Sequence, residues 1–227
     1  MRKQTGLLVL IALSALAGCS FSFDDDPSSS QVTATEVREV NNETVPPAAT
    51  TTDTDRAEAT TDGQRYGTDT DTGEILLSLP ELGQSYNFSS ESMRTRSELS
   101  SSEKASFEEQ GLLKRHERVF SLADGGYDGP PVVISTVAVY ESERDAASAT
   151  PELVESIREA GGTAEQVEIA SGVEATRLSG ETQTGRKNVL ITWQTDNLII
   201  WVVTSGIEQS YPEVTEEYFV EMVLDVP

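Results

Sequence analysis

Val189-Leu190-Ile191-Thr192-Trp193-Gln194-Thr195, Asp196-Asn197, Leu198-Ile199-Ile200-Trp201-Val202-Val203 is the stretch whose reading decides the fold. Two runs rich in β-branched and aromatic residues flank a pair that suits a tight turn, which predicts a hairpin about Asp196-Asn197. The second run is apolar at every position instead of alternating, so both of its faces require cover. An antiparallel sheet with a helix layer on each side supplies that cover. A two-residue turn sets Trp193 opposite Ile200 and Thr192 opposite Trp201. Successive cross-strand pairs alternate in face, so the two tryptophans are expected on opposite sides of the sheet.

The elements around this hairpin supply the remaining strands and the layers. Ile75 to Leu79 is an apolar lead-in ended by Pro80 and Gly83, and Tyr86 to Arg96 reads as a strand. Ser101 to Gln110 reads as a helix with a serine cap, Glu103 and Lys104 behind it and Gly111 as its stop. Leu113 to Leu122 and Val132 to Tyr140 read as strands joined through the turn-rich segment Gly125 to Pro130. Thr150-Pro151 is expected to open a helix, with threonine as cap and proline at the first helical position. That helix carries Leu153, Ile157 and Ala160 on one face and stops at Gly161-Gly162. Gln166 to Ala170 and Val173 to Leu178 are expected strands. The last helix, after Pro212, carries the stripe Val214, Tyr218, Met222 and Val226, with Phe219 and Val223 beside it. The fold class expected is therefore α+β, an antiparallel sheet with helices on both faces, occupying one globular domain over 74–227.

Upstream of that domain the composition changes. Residues 20–73 carry twelve acids against three arginines, are rich in Thr, Ser, Ala and Pro, and include Thr68-Asp69-Thr70-Asp71-Thr72. Such a segment has too little apolar surface to offset its ordering entropy, and its like charges extend it. A disordered acidic linker over 19–73 is the expectation. Asn42-Glu43-Thr44 within it, and Asn87-Phe88-Ser89 beyond it, match the N-glycosylation acceptor pattern, making Asn42 and Asn87 candidate glycosylation sites.

At the N-terminus, Arg2 and Lys3 precede the apolar run Leu7 to Ala17, which is too short to span a bilayer. It ends in Leu16-Ala17-Gly18-Cys19, and Cys19 is the only cysteine. This stretch resembles the lipobox of prokaryotic lipoproteins. The resemblance implies a signal peptide over 1–18, lipid on the Cys19 thiol, and a soluble part held on the outside of the cell membrane. The membrane is thus an expected partner through that lipid.

The full chain has 39 acidic and 16 basic residues, a net charge of −23, and among its cations twelve Arg and four Lys. Such a surface repels nucleic acid, which excludes that class of partner. Self-repulsion on this scale is relieved by salt. The acidic, lysine-poor composition is similar to that of proteins from salt-loving prokaryotes, archaea especially.

The element order of the globular part, with Arg118-Val119-Phe120, Val137-Ala138-Val139-Tyr140, Ala175-Thr176-Arg177-Leu178 and Asn197-Leu198-Ile199-Ile200, resembles the α-β-α sandwich of the PsbP-like superfamily. That resemblance implies binding or scaffolding of other proteins and carries over no catalytic residues.

No nucleophile elbow, phosphate loop or dinucleotide fingerprint occurs, so no cofactor and no enzymatic activity are expected. His116, the only histidine, lies in Lys114-Arg115-His116-Glu117-Arg118 and is expected at an exposed strand edge. With one histidine and no free thiol in the mature chain, a zinc cluster is not expected. Asp69-Thr70-Asp71-Thr72-Gly73-Glu74 lacks the third acid and the twelfth-position glutamate of a calcium loop. If the strands at 86–96 and 113–122 pair, Arg94, Arg96, Lys114, Arg115 and Arg118 form a basic patch on an acidic molecule, a candidate surface for an envelope protein partner. A tethered binding or scaffolding module is the reading these observations favour. The alternatives are a solute- or ion-binding lipoprotein and a carboxylate-dependent hydrolase.

Overall fold

The computed structural model describes residues 65–123, 129–169 and 172–227. The leader, Cys19, Asn42, the linker up to residue 64, the turn residues Gly125 to Asp128 and the expected strand end Ala170 lie outside the described residues.

A seven-stranded, wholly antiparallel sheet organises the domain, in the order β1-β2-β3-β7-β6-β5-β4. The strands are β1 (Tyr86–Thr95), β2 (Leu112–Leu122), β3 (Val132–Tyr140), β4 (Thr163–Ile169), β5 (Val173–Glu181), β6 (Lys187–Thr195) and β7 (Leu198–Gly206). Among the described residues four α-helices accompany them: α1 (Leu79–Leu82), α2 (Ser101–Glu109), α3 (Glu143–Glu159) and α4 (Pro212–Leu224).

The hairpin forms in the expected register, with Trp193 opposite Ile200 and Thr192 opposite Trp201. Asp196 takes the left-handed turn conformation at φ +48, which Asp tolerates better than most residues. Between β3 and β6, β7 has both faces covered. Ile200 and Val202 pack with α4's Phe219 and Met222, while Ile199 and Val203 lie on the α3 side with Ala146 and Leu153. Trp193 sits against the α4-side core and Trp201 against the α3-side clusters, so the tryptophans do point to opposite faces.

Three expectations are corrected. First, α3 does not open at Thr150-Pro151. It begins at Glu143, where Ser142 Oγ accepts the Asp145 N–H at 3.2 Å, and Pro151 lies inside the helix. A capped, acidic first turn followed by Ala146, Ala147 and Ala149 outweighs the lost hydrogen bond, and the proline faces solvent where its ring is accommodated. Gly161, at φ +86, still ends the element.

Second, the buried stripe of α4 centres on Thr215, Phe219 and Met222, with Tyr218 and Val223 at its margins. The cause is a polar contact: Thr215 donates to Tyr211 O and lies 2.6 Å from the Thr204 hydroxyl on β7, which donates to it in turn. The turn into this helix requires glycine at Gly206, where a Cβ would fall 1.9 Å from Gln209 O.

Third, the folded part does not begin at Glu74. Tyr66 and Thr72 are buried, and Ile75, Leu76 and Leu77 join Tyr66 in the α4-side core. Thr68 to Gly73, assigned by composition to the linker, is part of the domain.

Candidate functional site

Strand β2 has no purely apolar face. On the α4 side it presents Lys114, His116 and Arg118 in alternation before Phe120, opposite Val139, Val137, Ser135 and Val133 of β3. Lys114 and His116 are buried, and Arg118 is mostly so. They hold the segment 65–78, which runs across them as a strap. Lys114 Nζ donates to Thr68 O at 3.3 Å and Thr70 O at 2.8 Å. Arg118 Nη1 donates to Gly73 O, Leu76 O and Leu77 O at 3.0, 3.2 and 3.3 Å.

Between them, His116 is 7% exposed and bridges strap and edge strand. Its Nε2 lies 2.8 Å from Glu91 Oε1 and its Nδ1 lies 2.9 Å from Thr72 Oγ1. A carboxylate only accepts, so Nε2 carries the proton, and in the neutral ring Nδ1 accepts from the Thr72 hydroxyl. Glu91 also accepts from Arg118 Nε at 2.9 Å.

The arrangement has the hydroxyl–imidazole–carboxylate order of a hydrolytic triad. It lacks a triad's access, because Thr72, on the inner side of the strap, is buried and its hydroxyl is spent on the ring.

Burial is the main force lowering the His116 pKa. The Glu91 carboxylate works against it, and the neighbouring Arg118 and Lys114 cations add to it. For Glu91, desolvation acts to raise the pKa, but hydrogen bonds from Arg118 and His116 outweigh it and hold the group below its ordinary value. The groups facing the ring are thus Glu91 from β1, Lys114 and Arg118 from β2, and Thr72 from the strap.

A depressed histidine pKa means that the unfolded chain takes up a proton before the folded one does. Stability is therefore full above the unfolded value of about 6.5 and declines below it. The Glu91 contribution is lost only further down, below about 4.3. Urea unfolding from pH 8 to pH 5 is expected to show falling stability in the wild type and a flatter profile in His116→Gln. Equal slopes for the two proteins would contradict this assignment.

The strap is locked at its start. Asn197, in the β6–β7 turn, is fully buried. Its Oδ1 accepts the Arg65 and Tyr66 N–H groups, and its Nδ2 donates to Tyr66 O and Tyr140 O. Arg65 also pairs with Asp196 and donates to the C-terminal Pro227 O, which Tyr66 Oη approaches at 3.2 Å. The first described residues, the hairpin turn and the chain end thus meet at one end of the sheet.

On the opposite face of β1 and β2, helix α2 packs against β2, and Arg94 is the exposed cation. Arg94 and Arg115 stand directly opposite each other there. Arg94 pairs with Glu103 of α2 at 3.3 Å, and Arg115 pairs with Glu117 at 2.7 Å while lying over the Trp201 ring at 5.4 Å.

The five expected patch cations are therefore divided by strand alternation. The two strands pair as expected, yet Lys114 and Arg118 serve the strap, and Arg94 and Arg115 lie on the other face. Arg96, at the end of β1, is spent on Leu112 O, Phe107 O and Glu141. A single basic patch does not form. His116, expected at an exposed edge, is buried.

Asn87 is exposed on β1 opposite Ser121, and Ser89 of the same acceptor pattern donates to the Ser121 hydroxyl. In the loop read against the calcium pattern, Asp71 accepts the Gly73 N–H, and no cluster of three metal-ligating side chains exists among the described residues. No helix among the described residues is long and apolar enough to cross a membrane.

Sequence reading missed Thr72, Tyr66 and the clamp role of Asn197. A signal was present in Ile75-Leu76-Leu77, an apolar triplet outside any strand or helix that needed a surface to cover.

No family model matches the chain, and no curated protein matches it in sequence. Among solved structures it is similar to the extracellular domain of PknH from Mycobacterium tuberculosis, at 12% identity and a TM-score of 0.45, over 68% of this chain and 92% of that one.

Proposed function

We propose that this protein is a lipid-tethered binding or scaffolding module on the outside of a prokaryotic cell, its sandwich of the PsbP-like kind and its acidic surface suited to high salt. The anchor reading rests on Leu16-Ala17-Gly18-Cys19 and the short apolar leader before it. The observation that carries the binding reading is the Arg94 face of β1 and β2. There Arg94 and Arg115 oppose each other across the ladder, balanced by Glu103 and Glu117, with Arg94 the more exposed of the two. Beside them Trp201 is part-exposed under Arg115. A like-charged pair next to an indole on an otherwise acidic molecule is a surface shaped for a partner that brings carboxylates and an apolar contact.

The test is recovery of the intact lipoprotein from its own membrane in high salt. Cys19→Ala is expected to leave the lipid-labelled membrane fraction. Arg94→Glu with Arg115→Glu is expected to keep the anchor and lose a stoichiometric envelope partner. Unchanged capture by the charge-reversed chain would refute the binding face, and unchanged lipid labelling of Cys19→Ala would refute the anchor.

A further inference from the structure

The two edges of the sheet are protected differently. Strand β4, at one edge, carries Glu165 and Glu168, with Glu174 opposite Glu168 on β5. A second copy of an acidic chain approaching that edge meets a net negative strand, even with Glu165 paired to Arg177, a common device against edge pairing. Strand β1, at the other edge, is ten residues long and pairs, among the described residues, with β2 alone. Along it stand one acid, Glu91, and one base, Arg94, with no lysine and no proline. A bulge at Ser89 interrupts its first part, but Ser90 to Thr95 runs in regular register. Phe88 and Met93 are 49% and 52% exposed on the strap face of this strand, and Leu79, also exposed, stands on the short helix α1 packed against it.

We propose that β1 is a self-association edge and that its occupant is the β1 strand of a second copy, paired antiparallel to give one continuous sheet across a twofold axis. Such an axis runs normal to the sheet, so it preserves faces: Met93 and Phe88 of both copies come to the same side, with the two Met93 side chains near the axis. Charge selects the occupant. The chain has 29 acids against 12 bases over 65–227, so acidic copies repel over most of their surface and meet near-neutrally along β1. Because the other edge is closed by glutamates, the contact is isologous and stops at two copies instead of growing into a filament. The general repulsion makes association salt-dependent, being screened within ~3 Å at about 1 M ionic strength and within ~10 Å at about 0.1 M.

The experiment is sedimentation of the chain from residue 20 to 227, without the lipidated Cys19, at those two ionic strengths, with amide exchange read over Ser90 to Thr95. A dimer at about 1 M salt, weakened at least about tenfold at about 0.1 M, is expected. Met93→Lys should remain folded, with unchanged thermal unfolding, yet be monomeric and lose amide protection over Ser90 to Thr95. Glu168→Lys at the other edge should still dimerise. A wild-type monomer at both ionic strengths overturns the proposal, as does a Met93→Lys dimer or an assembly larger than two. Protected β1 amides in a monomer would also overturn it, showing that the chain's own residues 20–64 cover the edge.

Discussion

Asn197→Ala is expected to destabilise the domain by about 4 kcal/mol, the largest effect of any single polar substitution in the structure. The side chain makes four hydrogen bonds, at 3.0, 2.9, 2.8 and 2.7 Å, and every partner is a backbone group. Truncation takes one partner from each of two N–H groups and from two carbonyls. Each buried group so left unsatisfied costs roughly 1–3 kcal/mol, and the outermost, at Arg65, regains water in the variant, which keeps the sum below the upper limit. Asn197→Asp separates hydrogen bonding from shape. It retains both bonds at Oδ1 but turns an oxygen toward Tyr66 O and Tyr140 O and buries a charge, so it should cost at least as much as alanine. Denaturant unfolding measures the loss, and limited proteolysis between residues 65 and 78 locates it. A loss below about 1 kcal/mol for both variants would mean that the clamp is not what fixes the strap.

That clamp shows why the fold was more legible than the site. The β6–β7 hairpin, its register and the opposite-facing tryptophans follow from period and turn chemistry, which act over a few residues, and they are visible at Trp193, Asp196 and Trp201 in sequence alone. Asn197 was legible as a turn residue for the same reason. Its second role depends on Tyr66, 131 positions earlier, and no local pattern connects the two. The Lys114-His116-Arg118 alternation was legible as a strand, but its burial depends on a strap whose own composition, rich in Thr and Asp, imitates a solvated spacer. The strap is folded largely because Lys114 and Arg118 grip its backbone carbonyls, with His116 adding the Thr72 hydroxyl, and carbonyls leave no mark in composition. The start of α3 was misread for a different reason. A proline after threonine is a common helix opening, and Ser142 with its alanine-rich turn is a stronger one.

Arg118→Ala is expected to cost about 3 kcal/mol, and its salt dependence decides between two accounts of the residue. As half of an ion pair with Glu91, Arg118 would matter little, because exposed pairs contribute about 0–1 kcal/mol and are screened by salt. As the hub of the strap, it matters through Nη1, which serves Gly73 O, Leu76 O and Leu77 O from a side chain that is mostly buried. Alanine leaves those carbonyls without this donor and the Glu91 carboxylate with His116 alone of its two. The nearby Lys114 does not replace it, being engaged with Thr68 O and Thr70 O. Arg118→Lys retains the charge beside Glu91, but a single ammonium does not reach Glu91 and the strap carbonyls together, so roughly half of the loss should remain. Hydrogen bonds to neutral carbonyls inside a packed face are not screened, so the alanine deficit should persist at about 1 M salt even as the whole acidic domain gains stability there. A deficit that vanished at that ionic strength would reduce Arg118 to a surface ion pair. A persistent one would make β2, through alternate basic side chains, the element that joins the strap to the sheet.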